Sequence, residues 1–533
     1  RYDCEKEKLF YWEITEIYRS INFCRDDNRS LPGRRVLTPA FMNRMLTRFI
    51  KQIHKILGLI LSILFLMWFL SGIVMIYHSF PRVNQGLKLV RQESLQGGLL
   101  GIDSLVRALP DSSRVAGLSV DMCLGRPVFH LRGKQLPSEL YADSFRKVEK
   151  PGFPEICRLA GQLGGTSAWT VDTMYRLDQW IPFGYLEREF PIYKFTFEDE
   201  ERQEMYISSQ SGRVLQWTNR ESRFWAWLGA IPHWVYFTSL RQNQPLWINF
   251  MIWASGLGAI MCFTGLWTGI WAFWKNRKKG WRSPYKKWWF KWHHISGMIF
   301  GLFALTFVFS GMMSLVDLPS WMQKGKQKNR EVRFRGRGGE MLAWDCYRLD
   351  YRKIADRLQN VKSIEWSSFE KHPYYVVHTA TEKRYIDASD STRLLPFRLT
   401  EAMVNETVQK IHGKDIPYSI TWMTDWDDDY HSRRNMLSLP VYKVVVGDEL
   451  HTRHYFNPET LYHRQVDDNG RLRGILYGGL HSLNFKFLTD HPVLWNILMY
   501  VLLIGGSFLS LSGVVLTLKW LGRGIRKIGR MRK

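Results

Sequence analysis

At 533 residues the chain is long enough for several domains. Hydrophobic residues make up 45% and charged residues 23%, which would suit a soluble protein, but the apolar residues are clumped, and an aromatic share of 15% with 24 Trp favours membrane–water interfaces. A net charge of +25 would point to nucleic acid only with a basic soluble domain bearing a recognition motif; none occurs, so no nucleic-acid partner is expected. Six Cys are scattered with no CxxC or CxxCH, leaving a zinc ribbon and covalently attached c-type haem unsupported. A Cys123–Cys157 disulfide is an option if both face an oxidising compartment.

In chain order, residues 1–44 read as a leader or upstream extension, poorly ordered and without a signal-peptide pattern. A first membrane helix is expected over 45–80, a soluble insert over 81–245 and a second helix over 246–275. A basic connection over 276–291, a third helix over 292–317, a second insert over 318–490, a fourth helix over 491–518 and a basic tail over 519–533 complete the chain. The apolar cores of the four helices, 56–77, 247–274, 295–316 and 493–517, each reach the ~20 residues needed to cross a bilayer. None has Asp, Glu, Lys or Arg in its interior, which argues against a proton pump or ion-coupled transporter.

Inside the first insert, Ile102–Leu109 reads as a short helix and Arg114–Val120 and Pro127–Arg132 as strands. Ile192–Phe197, Glu204–Ser208 and, after the turn Ser209–Gly212, Arg213–Leu215 read as further strands. The second insert offers Tyr374–His378, Arg384–Asp387, Val441–Val446 and Thr452–Phe456. Alternating β-branched and aromatic residues suit half-buried antiparallel strands, two helix-plus-hairpin units per insert.

Lys/Arg bias in short flanks orients the helices. Residues 275–291 carry eight basic residues and no acid, the tail 519–533 carries seven and no acid, and Arg44, Arg48, Lys51 and Lys55 precede the first span. Both termini should therefore be cytoplasmic and both inserts on the opposite side. The basic stretch 324–337 would then be external, in a long loop where the rule is weak, either as a solvated linker or as a docking surface for an anionic iron complex.

The halves align as tandem repeats. His54…Gly58 and Ser71-Gly72 match His293…Gly297 and Ser310-Gly311 at an offset of 239. Pro191…Lys194 and Tyr206 match Pro440…Lys443 and Tyr455 at 249, and His233, Leu246-Trp247 and Thr264-Gly265 match His481, Leu494-Trp495 and Ser512-Gly513 at 248. A parallel repeat of this kind implies a pseudo-two-fold axis along the membrane normal. The Ser/Thr-Gly pairs read as close helix-packing sites with no chemistry of their own.

These residues resemble the PepSY-associated transmembrane family, the iron-regulated inner-membrane proteins. The family's His-x-x-x-Gly helix opening is similar to His54…Gly58 and His293…Gly297, and Leu480-His481-Ser-Leu483 is similar to the element before its second helix. Pro232-His233-Trp-Val fits only at the His. Met205-Tyr-Ile…Val214 and His454…Thr460 look like PepSY endings. The resemblance covers about residues 45–520. It implies an α-helical membrane protein of four transmembrane helices with α+β PepSY-like periplasmic inserts, multi-pass in a bacterial inner membrane. It also implies haem-based electron transfer to ferric siderophores, an oxidoreductase of the siderophore-reductase kind.

Four of the 15 His sit at membrane boundaries with a repeat partner: His54 and His293 at the cytoplasmic ends, His233 and His481 on the outer side. Neutral imidazole is a good axial ligand for haem that is not covalently attached. With the family resemblance, His54 and His293 are expected on one haem b and His233 and His481 on a second. His78, at the outer end of the first span, and His294, about 100° from His293 around the helix, rank lower. No GxGxxG follows a strand, so electrons must come from a quinol or a cytoplasmic donor. A ferric siderophore or other ferric chelate is the expected acceptor, and membrane lipid the expected surroundings. A non-redox PepSY regulator or sensor of periplasmic proteases would not need matched histidines, and a haem or siderophore permease would want polar groups in the spans. The acidic run Asp425…Tyr430 reads as a solvated loop rather than a metal site.

Overall fold

The computed structural model describes residues 39–531, apart from 111–113, 167, 281, 326–333, 336–341 and 434–435. The leader reading thus falls largely outside the described residues, but 39–44 are already helical. Among the described residues, four helices are long and apolar enough to cross a membrane: α1 (Pro39–Met75), α3 (Gln244–Asn276), α4 (Trp288–Met313) and α6 (Pro492–Met531), with α2 (Phe153–Gly164) and α5 (Glu401–His412) lying in the inserts. The tail expected after 518 continues as helix to Met531. Ile60, Ile63, Trp253, Phe263, Ile299, Leu302, Ile497 and Ile504 are all exposed on these helices. Such outward apolar side chains would be costly in water and are at home in lipid, so the chain fits a mixed α/β membrane protein.

Among the described residues the strands assemble into three antiparallel sheets. β1 (Arg114–Cys123), β2 (Arg126–Lys134) and β3 (Glu139–Tyr141) come from the first insert. A four-stranded sheet follows, of β4 (Trp169–Met174), β5 (Ile192–Phe197), β6 (Glu204–Ser208) and β7 (Val214–Thr218), preceded by α2 (Phe153–Gly164). The second insert contributes the short β8 (Phe334–Arg335), then β9 (Val361–Phe369), β10 (His372–Thr379) and β11 (Lys383–Asp387). α5 (Glu401–His412) then leads into a second four-stranded sheet of β12 (Tyr418–Met423), β13 (Val441–Val446), β14 (Arg453–Phe456) and β15 (His463–Val466).

The leading units of the two inserts are not separate. β1 pairs antiparallel with β9, Val120 opposite Ile364 and Leu118 opposite Trp366, giving the order β11-β10-β9-β1-β2-β3, with β8 beside β9. Phe129 and Trp366 pack with Leu105 and Ile354, from the short helices Ile102–Ala108 and Tyr351–Arg357, in one core that neither insert could close alone. Pairing the inner strands this way covers an edge that would otherwise be open to association. β3, β4, β8, β9, β12 and β15 and helices α2 and α5 are among the additions to the elements placed from sequence.

The four-stranded sheets share a buried anchor. Tyr206 donates its hydroxyl to Asp178 at 2.7 Å, with Lys194 at 3.8 Å; Tyr455 donates to Asp427 at 2.8 Å, with Lys443 at 2.7 Å. Asp429 is buried against Arg453 at 2.6 Å and Arg471 at 3.0 Å. The acidic run is therefore not a solvated loop: Asp427 and Asp429 are structural, while Asp425 and Asp428 remain exposed. Cys123 and Cys157 are free thiols, so the disulfide does not form. Most of the stretch 324–337 lies outside the described residues; Lys324 pairs with Asp468 at 3.1 Å.

The sheets differ in one core. His412 at the end of α5 meets His454 Nε2 at 2.8 Å, and the other nitrogen of His454 meets His463 at 3.0 Å. The corresponding places in the first half hold Gly164, Met205 and Val214. Burial, then His412, pushes His454 down to about 3, and burial, then His454, holds His463 well below the usual value. A folded pKa below the unfolded value of about 6.5 means stability is intact above that pH and falls as pH drops toward the folded pKa, by about 1.4 kcal/mol per pH unit for each such histidine. Hydrogen exchange of β14 and β15 should accelerate between pH 7.5 and 5.5 relative to β6 and β7, and His454→Met should remove most of that difference. An equal response in both sheets would contradict it.

Candidate functional site

At each end of the helices two histidines from different halves face each other. His54 on α1 and His293 on α4 have ring centres 6.2 Å apart. His233, in the short helix Ala230–Trp234 before α3, and His481, in the helical turn Leu480–Ser482 before α6, have centres 6.1 Å apart. Both pairs bring together the residues matched by sequence. Along α1, Gly72 at the outer pair lies 18 positions beyond His54, a rise of about 27 Å.

All four rings are seated alike. The Nδ1–H of His54 donates to the Met261 carbonyl at 2.9 Å, that of His233 to the Trp68 carbonyl at 3.2 Å, and that of His481 to the Phe307 carbonyl at 3.0 Å. His293 donates to Ser512 Oγ at 2.8 Å and to the Leu509 carbonyl. In every case the carbonyl lies three residues before a hydroxyl residue: Thr264, Ser71, Ser310 and Ser512. That hydroxyl donates to the same carbonyl, at 3.0, 3.1, 2.9 and 2.6 Å respectively. The next residue is Gly265, Gly72, Gly311 or Gly513, and a Cβ there would meet the ring at 2.7, 3.6, 3.5 and 3.7 Å. The Ser/Thr-Gly pairs, expected to be packing sites without chemistry, are thus histidine seats. The signal was in the sequence: His54 to Gly72 and His293 to Gly311 are both 18 apart, and His233 to Gly265 and His481 to Gly513 both 32.

A metal-binding imidazole characteristically gives its far N–H to a carbonyl, which fixes the ring and leaves the other nitrogen's lone pair for the metal. Two imidazoles bound trans on one ion, at about 2.0 Å each, place ring centres about 6.3 Å apart given a ring radius of about 1.15 Å, close to both separations here. Burial, then His481, lowers His233 to about 4, and burial lowers His481, so both are the neutral form that ligation needs. Among the described residues no group of three or more His, Cys, Asp or Glu is arranged to hold a metal ion. Each pair therefore offers two ligands, and a metal between them needs the rest from a cofactor, as haem iron takes four from its porphyrin.

The outer pair lines a cavity of about 730 Å³ between α1, α3, α4, α6 and the second insert. Trp68 and His431 also line it, and each has a buried ring nitrogen with no hydrogen-bond partner. Between the pairs the core is aromatic, with Phe65, Phe69 and Phe307 at centroid steps of 6.4 and 6.3 Å.

The lower-ranked histidines stand elsewhere. His294 receives the Ser283 hydroxyl at 3.0 Å and donates to the Gly269 carbonyl at 3.1 Å, so both nitrogens are used within the protein. His78 stacks flat on Trp225 at 4.3 Å and does not line the outer cavity.

No protein-family model matches the chain, and no curated protein matches it.

Because a Cβ at position 265 would collide with the His54 ring, Gly265→Val should displace that ring from the Met261 carbonyl. Gly513→Ala, whose Cβ stays at ordinary contact distance from His293, should not disturb its seat. Nitrogen-15 NMR of protein in lipid nanodiscs should lose the carbonyl-bonded Nδ1–H signal of His54 in the first variant and keep that of His293 in the second. Retention of the His54 signal would show that the glycine does not set the seat.

Proposed function

We propose that the chain is a di-haem b-type electron carrier of a bacterial inner membrane, built from two copies of one two-helix unit. Its termini are cytoplasmic and its PepSY-like inserts periplasmic, and it passes electrons to a ferric siderophore or other ferric chelate. The observation that carries the reading is the pair of histidine pairs, one at each end of the helices, with ring centres 6.2 and 6.1 Å apart and each ring anchored through Nδ1.

Haem b would supply a one-electron ferric/ferrous couple at each end. His54 and His293 would hold the inner group, His233 and His481 the outer one. The second shell of Thr264, Ser512, Ser71 and Ser310 would keep the rings from turning as the charge on the metal changes. The apolar core between the pairs excludes water and fixed charge, which suits electron passage and opposes proton leakage. Electrons would enter from a quinol or a cytoplasmic donor. Reducing Fe(III) to Fe(II) on a chelate of hard oxygen donors weakens the complex and frees the metal. The absence of ionisable side chains from the four apolar cores counts against the permease reading.

Purified protein should show a reduced b-type absorption spectrum with two haems per chain. His54→Ala and His293→Ala should each abolish the same haem, and His233→Ala and His481→Ala the other, because six-coordinate iron loses its site with either axial ligand. Loss of different haems within a pair would refute the pairing, and retention of both in all four variants would refute the assignment.

The acceptor and its side are a separate expectation. Cysteines at positions 278 and 530 should be labelled only from the cytoplasm, those at 150 and 400 only from outside. In vesicles, reduced haem should be reoxidised by ferric chelate added on the insert side. Equal rates from both sides would end the directional reading, and oxidation by quinones but by no ferric complex would remove the reductase function.

A further inference from the structure

The two chain segments that lead into the outer histidines are built alike. Helix Arg220–Leu228 starts at Asn219, whose side chain accepts from the Ser222 N–H at 2.9 Å while the Ser222 hydroxyl accepts from the Asn219 N–H at 3.0 Å. Ala226 is buried. The outward face carries Arg220 and Glu221 in the first turn and then Phe224, Trp227 and Leu228, which are 56%, 50% and 48% exposed. That face is therefore polar at one end of the helix and apolar at the other. Leu228 lies five residues before His233. The Gly229 between them rests on α1, where a Cβ would meet Val74 at 2.8 Å, and Trp225 stacks on His78, just past the end of α1.

The second half repeats the pattern. The places 248 residues on from Phe224, Trp227 and Leu228 hold Leu472, Ile475 and Leu476, in helix Asp468–Gly474 and the π-helical turn Ile475–Gly479 that continues it. Ile475 is 51% exposed. His78 and Trp225 correspond to Asp317 and Arg473, and these form an ion pair at 3.5 Å. A ring stack in one half and an ion pair in the other join the same two positions, so each approach helix is docked on the end of a spanning helix.

Large apolar side chains turned outward on one face forgo hydrophobic stabilisation unless something covers them. Their patch is continuous with the membrane-facing surface of the spans. Val74, which touches the approach helix, is one turn from Leu70 on the same side of α1, and both Leu70 and Tyr77 are exposed. A lipid boundary matches both ends of such a helix: acyl chains meet the apolar end, head groups meet Arg220 and Glu221, and Trp favours that depth.

We propose that the helix Arg220–Leu228 and its counterpart Asp468–Gly474, with the turn that follows it, are interfacial anchors. Their exposed apolar side chains enter the lipid leaflet next to the inserts and so fix the depth at which His233 and His481 are held. The inference rests on the four spanning helices and not on haem. His54 and His293 lie within α1 and α4 and take their depth from those helices, whereas His233 and His481 lie on short helices before α3 and α6. The anchors give the second pair the fixed depth that the first pair has by position.

The test uses full-length protein in phospholipid nanodiscs, with the photoreactive residue benzoylphenylalanine introduced at one position at a time and lipid adducts measured after irradiation by mass spectrometry of the intact chain. Positions 224, 227 and 475 should form adducts several-fold more often than position 221, and approach the yield at position 63 on the exposed face of α1. Yields at 224, 227 and 475 no higher than at 221 overturn the anchor, as do crosslinks to a second copy of the chain in place of lipid. Depth is read separately by nitrogen-15 NMR. Phe224→Ser/Trp227→Ser/Leu228→Ser should weaken the carbonyl-bonded Nδ1–H signal of His233 and leave that of His54, which reports that the helices are assembled. An unchanged His233 signal overturns the depth-setting role. If both signals are lost, Ile475→Ser decides by the same comparison of His481 with His293, and an unchanged His481 signal there overturns it.

Discussion

Each membrane-end histidine gives its Nδ1 proton to a carbonyl of a neighbouring helix, and much of the transmembrane architecture follows from that bond. The carbonyl is one that the helix already bonds, so a hydroxyl on the next turn shares it and a glycine beside the hydroxyl clears space for the ring. α1 both carries His54 and seats His233; α4 both carries His293 and seats His481. The helices are thus locked in pairs by these histidine seats, and each pair offers one imidazole to each end of the bundle. Ring orientation is set by the protein alone, with no group needed to order the rings.

Outside the membrane, the halves are joined by backbone as well as by side chains. β1 and β9 exchange ladder hydrogen bonds, so the leading units share one sheet and one core. The following four-stranded sheets stay separate, each closed around a buried tyrosine with a half-buried carboxylate and lysine. A shared central sheet holds the halves in fixed register, and His233 and His481 follow the four-stranded sheets after the helices Arg220–Leu228 and Asp468–Gly474 respectively.

On this common frame the halves diverge where chemistry differs. The second half places three linked histidines in a core that the first fills with apolar residues and glycine. It also sends a loop and a strand end with two arginines to the outer cavity, where the first half sends none. Burying a chain of imidazoles costs stability that hydrocarbon would not, so these positions mark where the second insert departs from pure scaffolding.

What the sequence determined by itself is whatever depends on neighbours along the chain. Hydropathy placed the four long helices, and alternation placed β5, β6 and β13 to the residue. The four boundary histidines could be singled out because each sits at the end of an apolar run and has a partner in the other half. The tertiary structure decided which atoms meet. The partners of the four ring nitrogens lie 165 to 219 residues away along the chain, so nothing local distinguished His293, with a nitrogen to spare, from its neighbour His294, with none. The Ser/Thr-Gly pairs looked like packing because a small residue on a helix has the same local appearance whether a helix or a ring rests on it. β9 went unseen because its pairing partner is β1, in the other insert. The acidic run looked solvated because charge density is visible in sequence, while the lysine and arginines that bury Asp427 and Asp429 arrive from other strands and a later helix. Periodicity reports the face an element turns to its surroundings; only the packed chain specifies which group waits on the other side.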